Sequence, residues 1–421
     1  MAPANRIIEL SLLIANQTAV LDDFFELNQL PTPSLDQDAL ESLAIPDEAS
    51  EAKAARVAVI EACSELKALI TGPKELLSFE LMHTLKWTSY ASVKAILRFR
   101  LEQSFPVGES TSFDAMSQFS GLNAKTIRRL VRHAIVNHRF FREATPGIIT
   151  HSALTAILSR DESARNSLTL ELDEFWPAAV KMTDAMETWL NSEENNETGF
   201  SLANNSDKSM WDIFNESPAR ADRFARYFAQ PDQTFDGLLE NYPWDEKMTM
   251  VDVGGSYGSV AISIARQFPN MKCFVQDLPN VVAEGALRLP AGLQDRVTFV
   301  PHDFFTPQPI TADVYYFRSV LHNWADKYCI RILQNLVPAL RPGARVIIHE
   351  GILLDLADLT RPEVRRAINL DVGMQILLNA QKRDKEEWPE LFRQADARFR
   401  YVGARRPIGA RRWIIEAEWQ E

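Results

Sequence analysis

Residues 248–258, M-T-M-V-D-V-G-G-S-Y-G, leave few choices for the chain around them. Met248, Met250, Val251 and Val253 read as a strand, glycines follow at once, and residues 259–268 read as a helix. A strand that turns sharply into a helix needs glycine there, because the backbone must take up conformations that a side chain forbids and must let a ligand come close. The helix start beyond the turn offers unpaired N–H groups to whatever is bound. The spacing is not that of the dinucleotide loop G-x-G-x-x-G, since from Gly254 those slots hold Gly254, Ser256 and Ser259. Instead an acid, Asp252, stands two residues before the first glycine, and Gly258 closes the turn.

A chain of 421 residues can bury a large core and form two or three domains. Its net charge of −12 argues against nucleic acid as a partner. Cys63, Cys273 and Cys329 are far apart, odd in number and form no C-x-x-C, which suits a reducing compartment. No apolar run approaches the roughly 18 residues of a membrane span. The first helix candidate, with Ile7, Leu10, Ile14 and Leu21, lacks the basic start and cleavage site of a secretory leader. These features predict a cytoplasmic enzyme acting on a small molecule, with no membrane or nucleic-acid partner.

Residues 1–30 read as an amphipathic helix and 31–52, polar and proline-containing, as a linker; a second helix closes at Gly72-Pro73. A helix over 91–104, a helix–turn–helix over 112–119 and 124–137, and short strands either side of Pro146-Gly147 follow. That order is a winged helix, and its second helix carries Lys125, Arg128, Arg129 and Arg132, as a DNA reader's would. In an acidic chain the same module serves dimer contact and substrate closure, which is the reading preferred. His133 and His138 lack a carboxylate pattern and are read as structural or exposed.

Residues 171–190 read as one helix, 191–208 as a polar loop, and 210–228 as a further helical segment. Their aromatic and methionine residues, Trp176, Met182, Met186 and Trp211, are candidates to line a flat apolar ligand, with Met374 further on. From residue 245 strands and helices alternate, which predicts a doubly wound, mainly parallel sheet closed by an antiparallel hairpin of 399–402 and 412–417. The expected domains are thus 1–72 (helices and linker), 73–160 (winged helix), 161–240 (connecting helices) and 241–421 (ligand-binding α/β domain).

In such a sheet ligands bind beyond the carboxyl ends of the strands. Asp277 with Leu278 follows the second strand, nineteen residues beyond Gly258, where an acid that holds a ribose belongs. Asp303 and Phe304, in H-D-F-F, follow the third, placed for an adenine amino group and ring. His322, in R-S-V-L-H-N-W-A-D, follows the fourth, and Glu350, in V-I-I-H-E-G, the fifth. A lone acid in such a place is often a helix cap; four such groups at successive strand ends point to a site. No His/Cys/Asp/Glu group has metal-ligand spacing, so no metal is expected.

With these residues in view, the loop around Asp252 and Gly258 resembles the S-adenosylmethionine (SAM) loop D-x-G-x-G-x-G of class I methyltransferases, with Ser256 in place of the middle glycine. The whole chain from about residue 70 resembles the caffeate-type family of SAM-dependent O-methyltransferases, in the form common among fungal secondary-metabolite enzymes. The pieces that carry the resemblance are D-V-G-G-S-Y-G, V-Q-D-L-P-N-V, H-D-F-F, D-V-Y-Y-F-R-S-V-L-H-N-W-A-D, L-R-P-G-A-R-V-I-I-H-E and the final I-I-E-A. The resemblance implies a class I, Rossmann-like methyltransferase domain behind an α-helical, winged-helix dimerisation domain, and a homodimer with exchanged N-terminal helices. It implies that Gly254, Gly255 and Gly258 hold the methionine end of SAM, Asp277 the ribose, and Asp303 and Phe304 the adenine, with Arg318 near the cofactor. It implies His322 as general base, hydrogen-bonded by Glu350.

These residue types suit the chemistry. A phenol has a pKa of about 10, so its proton must leave as the new bond forms, and a neutral imidazole can accept it. A carboxylate on the far nitrogen fixes the tautomer. Holding acceptor and methyl in line contributes on the order of 7–11 kcal/mol. Two positions depart from the family. Asn323 follows His322 where an acid is usual, and Lys382 stands where G-K-E-R-T relatives place a glutamate beside the histidine, with Arg383 matching the arginine. A lysine there opposes imidazolium formation. It gives weight to a second reading: a SAM-binding relative that does not methylate and catalyses dehydration or a pericyclic reaction with electrostatic help.

Overall fold

The computed structural model describes the chain except for residues 1–4, 47, 79–85, 229–236, 246, 354–360 and 408–409. It forms two compact units, Met1–Asp173 and Glu174–Glu421; the division falls inside the stretch read as connecting helices, 161–240.

In the first unit the helices Arg6–Leu27 and Ser50–Thr71 pack on each other. Pro73, expected only to end a helix, also starts the short helix Pro73–Ser78, because proline at a first helical position gives up no needed N–H. The winged helix is present. Helix Phe113–Ser120 is capped by Ser112, whose Oγ accepts from Ala115 N–H, and Gly121 ends it at φ +76°. Asn123 caps helix Ala124–His138 in the same way. The wing has three antiparallel strands, β1 (Ser110–Ser112), β2 (Arg142–Thr145) and β3 (Ile148–Thr150), in the order β1-β3-β2. Strand β1 is too short to show a sequence period and was not expected. The basic helix is partly engaged within the fold: Arg128 and Arg132 lie over the Phe113 ring, and Arg132 makes a forked ion pair with Glu143. His133 Nδ1 is 3.0 Å from Ser92 Oγ, which fits its structural reading.

The second unit opens with helices where one was expected. A wide turn over Glu171–Phe175 leads to Trp176–Val180 and then Met182–Thr188. Pro177 lacks the N–H that would bond back into that wide turn, and the two helices part at Lys181, whose backbone leaves the helical conformation. Pro218 likewise splits the next segment into Met210–Asn215 and Pro218–Phe228. The polar loop holds a short helix, Gly199–Ala203, capped by Thr198. Helix Arg361–Leu378, which sequence reading did not single out, packs on these helices through Phe200, Met210, Ile213, Phe214, Met374 and Leu377.

The sheet that follows has strands β4 (Thr249–Val253), β5 (Lys272–Asp277), β6 (Val297–Pro301), β7 (Val314–Arg318), β8 (Arg345–Glu350), β9 (Phe399–Arg405) and β10 (Trp413–Trp419). Their order is β6-β5-β4-β7-β8-β10-β9, parallel except for β10, which is antiparallel to both neighbours. Alternate residues serve opposite faces. Val251, Val253, Tyr315, Phe317, Val346 and Ile348 pack with helices Asp326–Leu336 and Glu387–Ala395. Met250, Val275, Val314, Tyr316 and Ile347 pack with helix Ser259–Gln267. Both faces are thus covered, as the near-continuous apolar strands require. The order reverses between β5 and β7 across β4, so the crevice opens beyond the carboxyl end of β4.

Candidate active site

The glycine loop leaves β4 at that crevice. Gly254 and Gly258 have φ of +70° and +74°. A Cβ on Gly254 would lie 2.9 Å from Val320 Cγ2, and one on Gly258 2.9 Å from Phe299 Cζ, so both the conformation and the space demand glycine. A Cβ on Gly255 would meet the Asp252 carboxylate at 2.7 Å. Gly254 and Gly255 N–H donate to Gln276 O, at 2.8 and 3.0 Å, which ties the loop to β5. Ser256, in the slot of the middle glycine, takes the left-handed φ of +51°, and Asp277 Oδ2 holds it there by accepting its N–H at 2.9 Å. The other Asp277 oxygen accepts from Leu278 N–H.

Asp252 is 2 % exposed, and its Oδ2 has no hydrogen-bond partner among the described residues. Burial pushes its pKa up to about 7 against the pull of Arg318. Arg318 ends β7 and its Nη2 donates to Ser259 Oγ at 3.3 Å. Beyond β6, Asp303 is exposed and its Oδ1 accepts from Phe305 N–H. Phe304 comes within 4.0 Å of the Gly254 Cβ position and meets Trp324 edge-on. The loops after β4, β6 and β7 therefore converge on one apolar wall.

His322 sits on a single helical turn, Leu321–Asn323, just after β7. Its Nδ1 is 3.7 Å from Glu350 Oε2, beyond hydrogen-bond range, where a hydrogen bond was expected. Glu350 accepts instead through Oε1 from the backbone N–H of Leu321 and His322, at 2.7 and 3.2 Å. Those N–H groups start a turn and need an acceptor, so the carboxylate both seats the turn and faces the ring. Burial pushes the His322 pKa down to about 4; Glu350 opposes this, and Lys382, Arg412 and Arg383 add to it.

Lys382 does reach this place. It is 8 % exposed, its Nζ donates to Gly351 O at 3.4 Å, and burial lowers its pKa. Arg383 is buried and straps the histidine turn: it donates to Leu321 O, Trp324 O and Asp326 Oδ1, at 3.2, 2.9 and 2.7 Å. Asn195 was missed. Its Nδ2 donates to Asn323 O and Leu378 O, and nothing marks it within its polar loop. Asn323 Nδ2 donates to Ser319 O.

The apolar candidates fare unevenly. Met374 is buried, and Trp211 packs beside it and edge-on to Phe224. The helix bearing Met374 packs against the His322 turn. Trp176 and Met182 are half-buried, and Met186 is exposed. Among the described residues no cluster of His, Cys, Asp and Glu could hold a metal. The glycine cradle, the buried Asp252 oxygen and the rim acids suit an adenosyl ligand with a cationic end.

Residues 185–398 match the family model of the O-methyltransferase domain. The chain is 36% identical over 428 residues to the O-methyltransferase AMT9 of Alternaria alternata, covering 99% of this chain and 98% of that one. It is 37% identical over 424 residues to the grayanic acid biosynthesis cluster O-methyltransferase of Cladonia grayi, covering 99% and 88%. The structure of OxaC in complex with S-adenosylhomocysteine and oxaline superposes with a TM-score of 0.78 at 20% identity, over 99% of this chain and all of that one.

Proposed function

The chain belongs to the O-methyltransferase family, and we propose that it moves the methyl group of SAM to a hydroxyl of a small aromatic or enolic secondary metabolite, with His322 receiving the proton. The observation that carries this reading is the placement of His322 and Glu350 on the strand-end rim that also bears the glycine cradle. Gly254, Gly255, Gly258, Asp277, Leu278, Asp303, Phe304 and Arg318 hold the cofactor. When bound, SAM supplies an electrophilic methyl on a cationic sulfur. His322 is neutral at pH 7 and accepts at Nε2, the nitrogen away from Glu350; the carboxylate stabilises the imidazolium. Trp176, Met182, Met186, Trp211, Met374, Asn323 and Lys382 bound the acceptor.

The protein works as a homodimer in the cytoplasm. Supporting this, helices Arg6–Leu27 and Ser50–Thr71 expose Ile7, Ile8, Leu12, Leu13, Ile60, Leu69 and Ile70, apolar side chains that a second subunit would cover. The three cysteines are free. No helix among the described residues is long and apolar enough to cross a membrane.

The test is incubation with candidate acceptors and methyl-labelled SAM. Products heavier by one methyl, formed with S-adenosylhomocysteine and lost in His322→Ala while SAM still binds, are expected. Products of unchanged mass, or lighter by water, refute transfer and support the non-methylating reading. Full activity in His322→Ala refutes the base assignment.

A further inference from the structure

Among the described residues Lys382 is a buried cation to which the proton transfer described above gives no part. Glycine at 351 makes room for it: a Cβ there would lie 2.5 Å from Nζ. Among the described residues Nζ makes a single, long hydrogen bond, to Gly351 O, out of the three an ammonium can donate. The adjacent residue is Glu350, whose Oε1 is occupied by two backbone N–H groups and whose Oε2 faces His322. The charged groups acting on Lys382 and His322 are Glu350 and Asp371 against Arg412 and Arg383, and Arg383 is itself paired with Asp326. Asp371 contacts the lysine through its backbone, accepting from Lys382 N–H at 2.7 Å. Lys382 therefore sets an amine on the side of the ring where the family resemblance puts a second carboxylate, and its field acts on His322.

We propose that Lys382 sets acceptor specificity: its ammonium, seated against Gly351 beside the His322–Glu350 pair, stabilises the oxyanion of acidic hydroxyls over that of ordinary phenols. Such hydroxyls are those of enolised 1,3-dicarbonyls and of phenols conjugated to a carbonyl or nitro group. The inference rests on the methyltransferase reading of this site and names its substrate class. An imidazole so reluctant to take a proton is a poor partner for a phenol of pKa about 10, and a sufficient one for a hydroxyl titrating near neutrality. In the step, the hydroxyl proton goes to His322, the oxygen lone pair forms the bond to the methyl carbon, and the carbon–sulfur pair stays on sulfur. Lys382 donates to the oxygen throughout and transfers nothing.

The experiment is binding of 4-nitrophenol and 4-methylphenol, close in size and far apart in acidity, to the full chain saturated with S-adenosylhomocysteine. The yellow nitrophenolate reports its own ionisation when bound. Wild type is expected to favour the nitrophenol on the order of 30-fold or more, the loss typical when one partner of a desolvated pair is missing, and to bind it as the anion. Lys382→Gln should remove the preference. Should that variant fail to fold, as a melting curve would reveal, Lys382→Met, uncharged and suited to the buried site, answers the same question. Equal affinities in wild type, undetectable ones included, or a preference that survives either substitution in a folded protein, overturn the proposal. Methyl transfer is scored separately from product mass. A preference found without any transfer leaves Lys382 its role and removes the transferase reading instead.

Discussion

Asp252 lies beneath the glycine loop with one oxygen unsatisfied, and this makes a specific demand on stability. Its pKa rises from an ordinary 3.8 to about 7, first because burial penalises the charge and next because Asp277 is near, with Arg318 opposing. Between those values the folded chain holds a proton that the unfolded chain has released. Stability must then be fullest below pH 4 and must fall as pH rises through about 7. A shift of that size corresponds to about 4 kcal/mol, an upper figure since the site relaxes. Asp252→Asn carries no charge at any pH, so the wild-type minus variant difference isolates this one group from every other titration. Urea midpoints of both proteins, without ligand, from pH 4 to 8 give the difference directly. It is expected to move by about 4 kcal/mol against the wild type, most of it between pH 5 and 7. A difference that stays flat across this range would show that the carboxylate is solvated, and would falsify the tight seating of the loop over β4 and β5.

Other substitutions test other parts. Gly258→Ala forces a methyl into Phe299 at a positive φ; affinity for S-adenosylhomocysteine by calorimetry should fall by about 5- to 150-fold, as strain of about 1–3 kcal/mol implies. Arg383→Met removes the charged donor from the carbonyls of Leu321 and Trp324, which keep only the Trp324 N–H and the Cys329 thiol; the urea midpoint should report a loss of about 1.5–3 kcal/mol, and turnover should drop with it. In the first unit Glu102 is fully buried, with its carboxylate oxygens lacking hydrogen bonds among the described residues and its pKa raised to about 7 by burial. Its sign is that of Asp252, so Glu102→Gln should gain about 3 kcal/mol at pH 8 and little at pH 4.

The sequence shows the sheet clearly because strands buried on both faces are apolar along much of their length, and three of them end at a residue with chemistry: Asp277, Arg318, Glu350. Caps and turns were legible too, as at Ser112, Asn123 and Gly121, where side chain and backbone solve one local problem. What was hidden depends on partners far along the chain. Nothing local says that Glu350 gives one oxygen to a turn 28 residues earlier, or that Arg383 reaches back to Leu321. The helices after residue 171 are hard to divide from sequence because apolar periodicity runs on through Lys181 and Pro218 while the helical backbone does not.

Strand β10 lies between β8 and β9, inside the sheet, though it is the latest of the three to be synthesised. Until residue 419 has left the ribosome, β8 carries an open row of amide and carbonyl groups, Arg345 to Glu350, flanked by valine and isoleucine. An exposed edge of that kind invites pairing with other chains. Overproduction at slow growth temperature, or with holdase chaperones raised, should therefore shift the yield from inclusion bodies to native protein, and a ribosome stalled between residues 350 and 413 should display the nascent chain at its most adhesive.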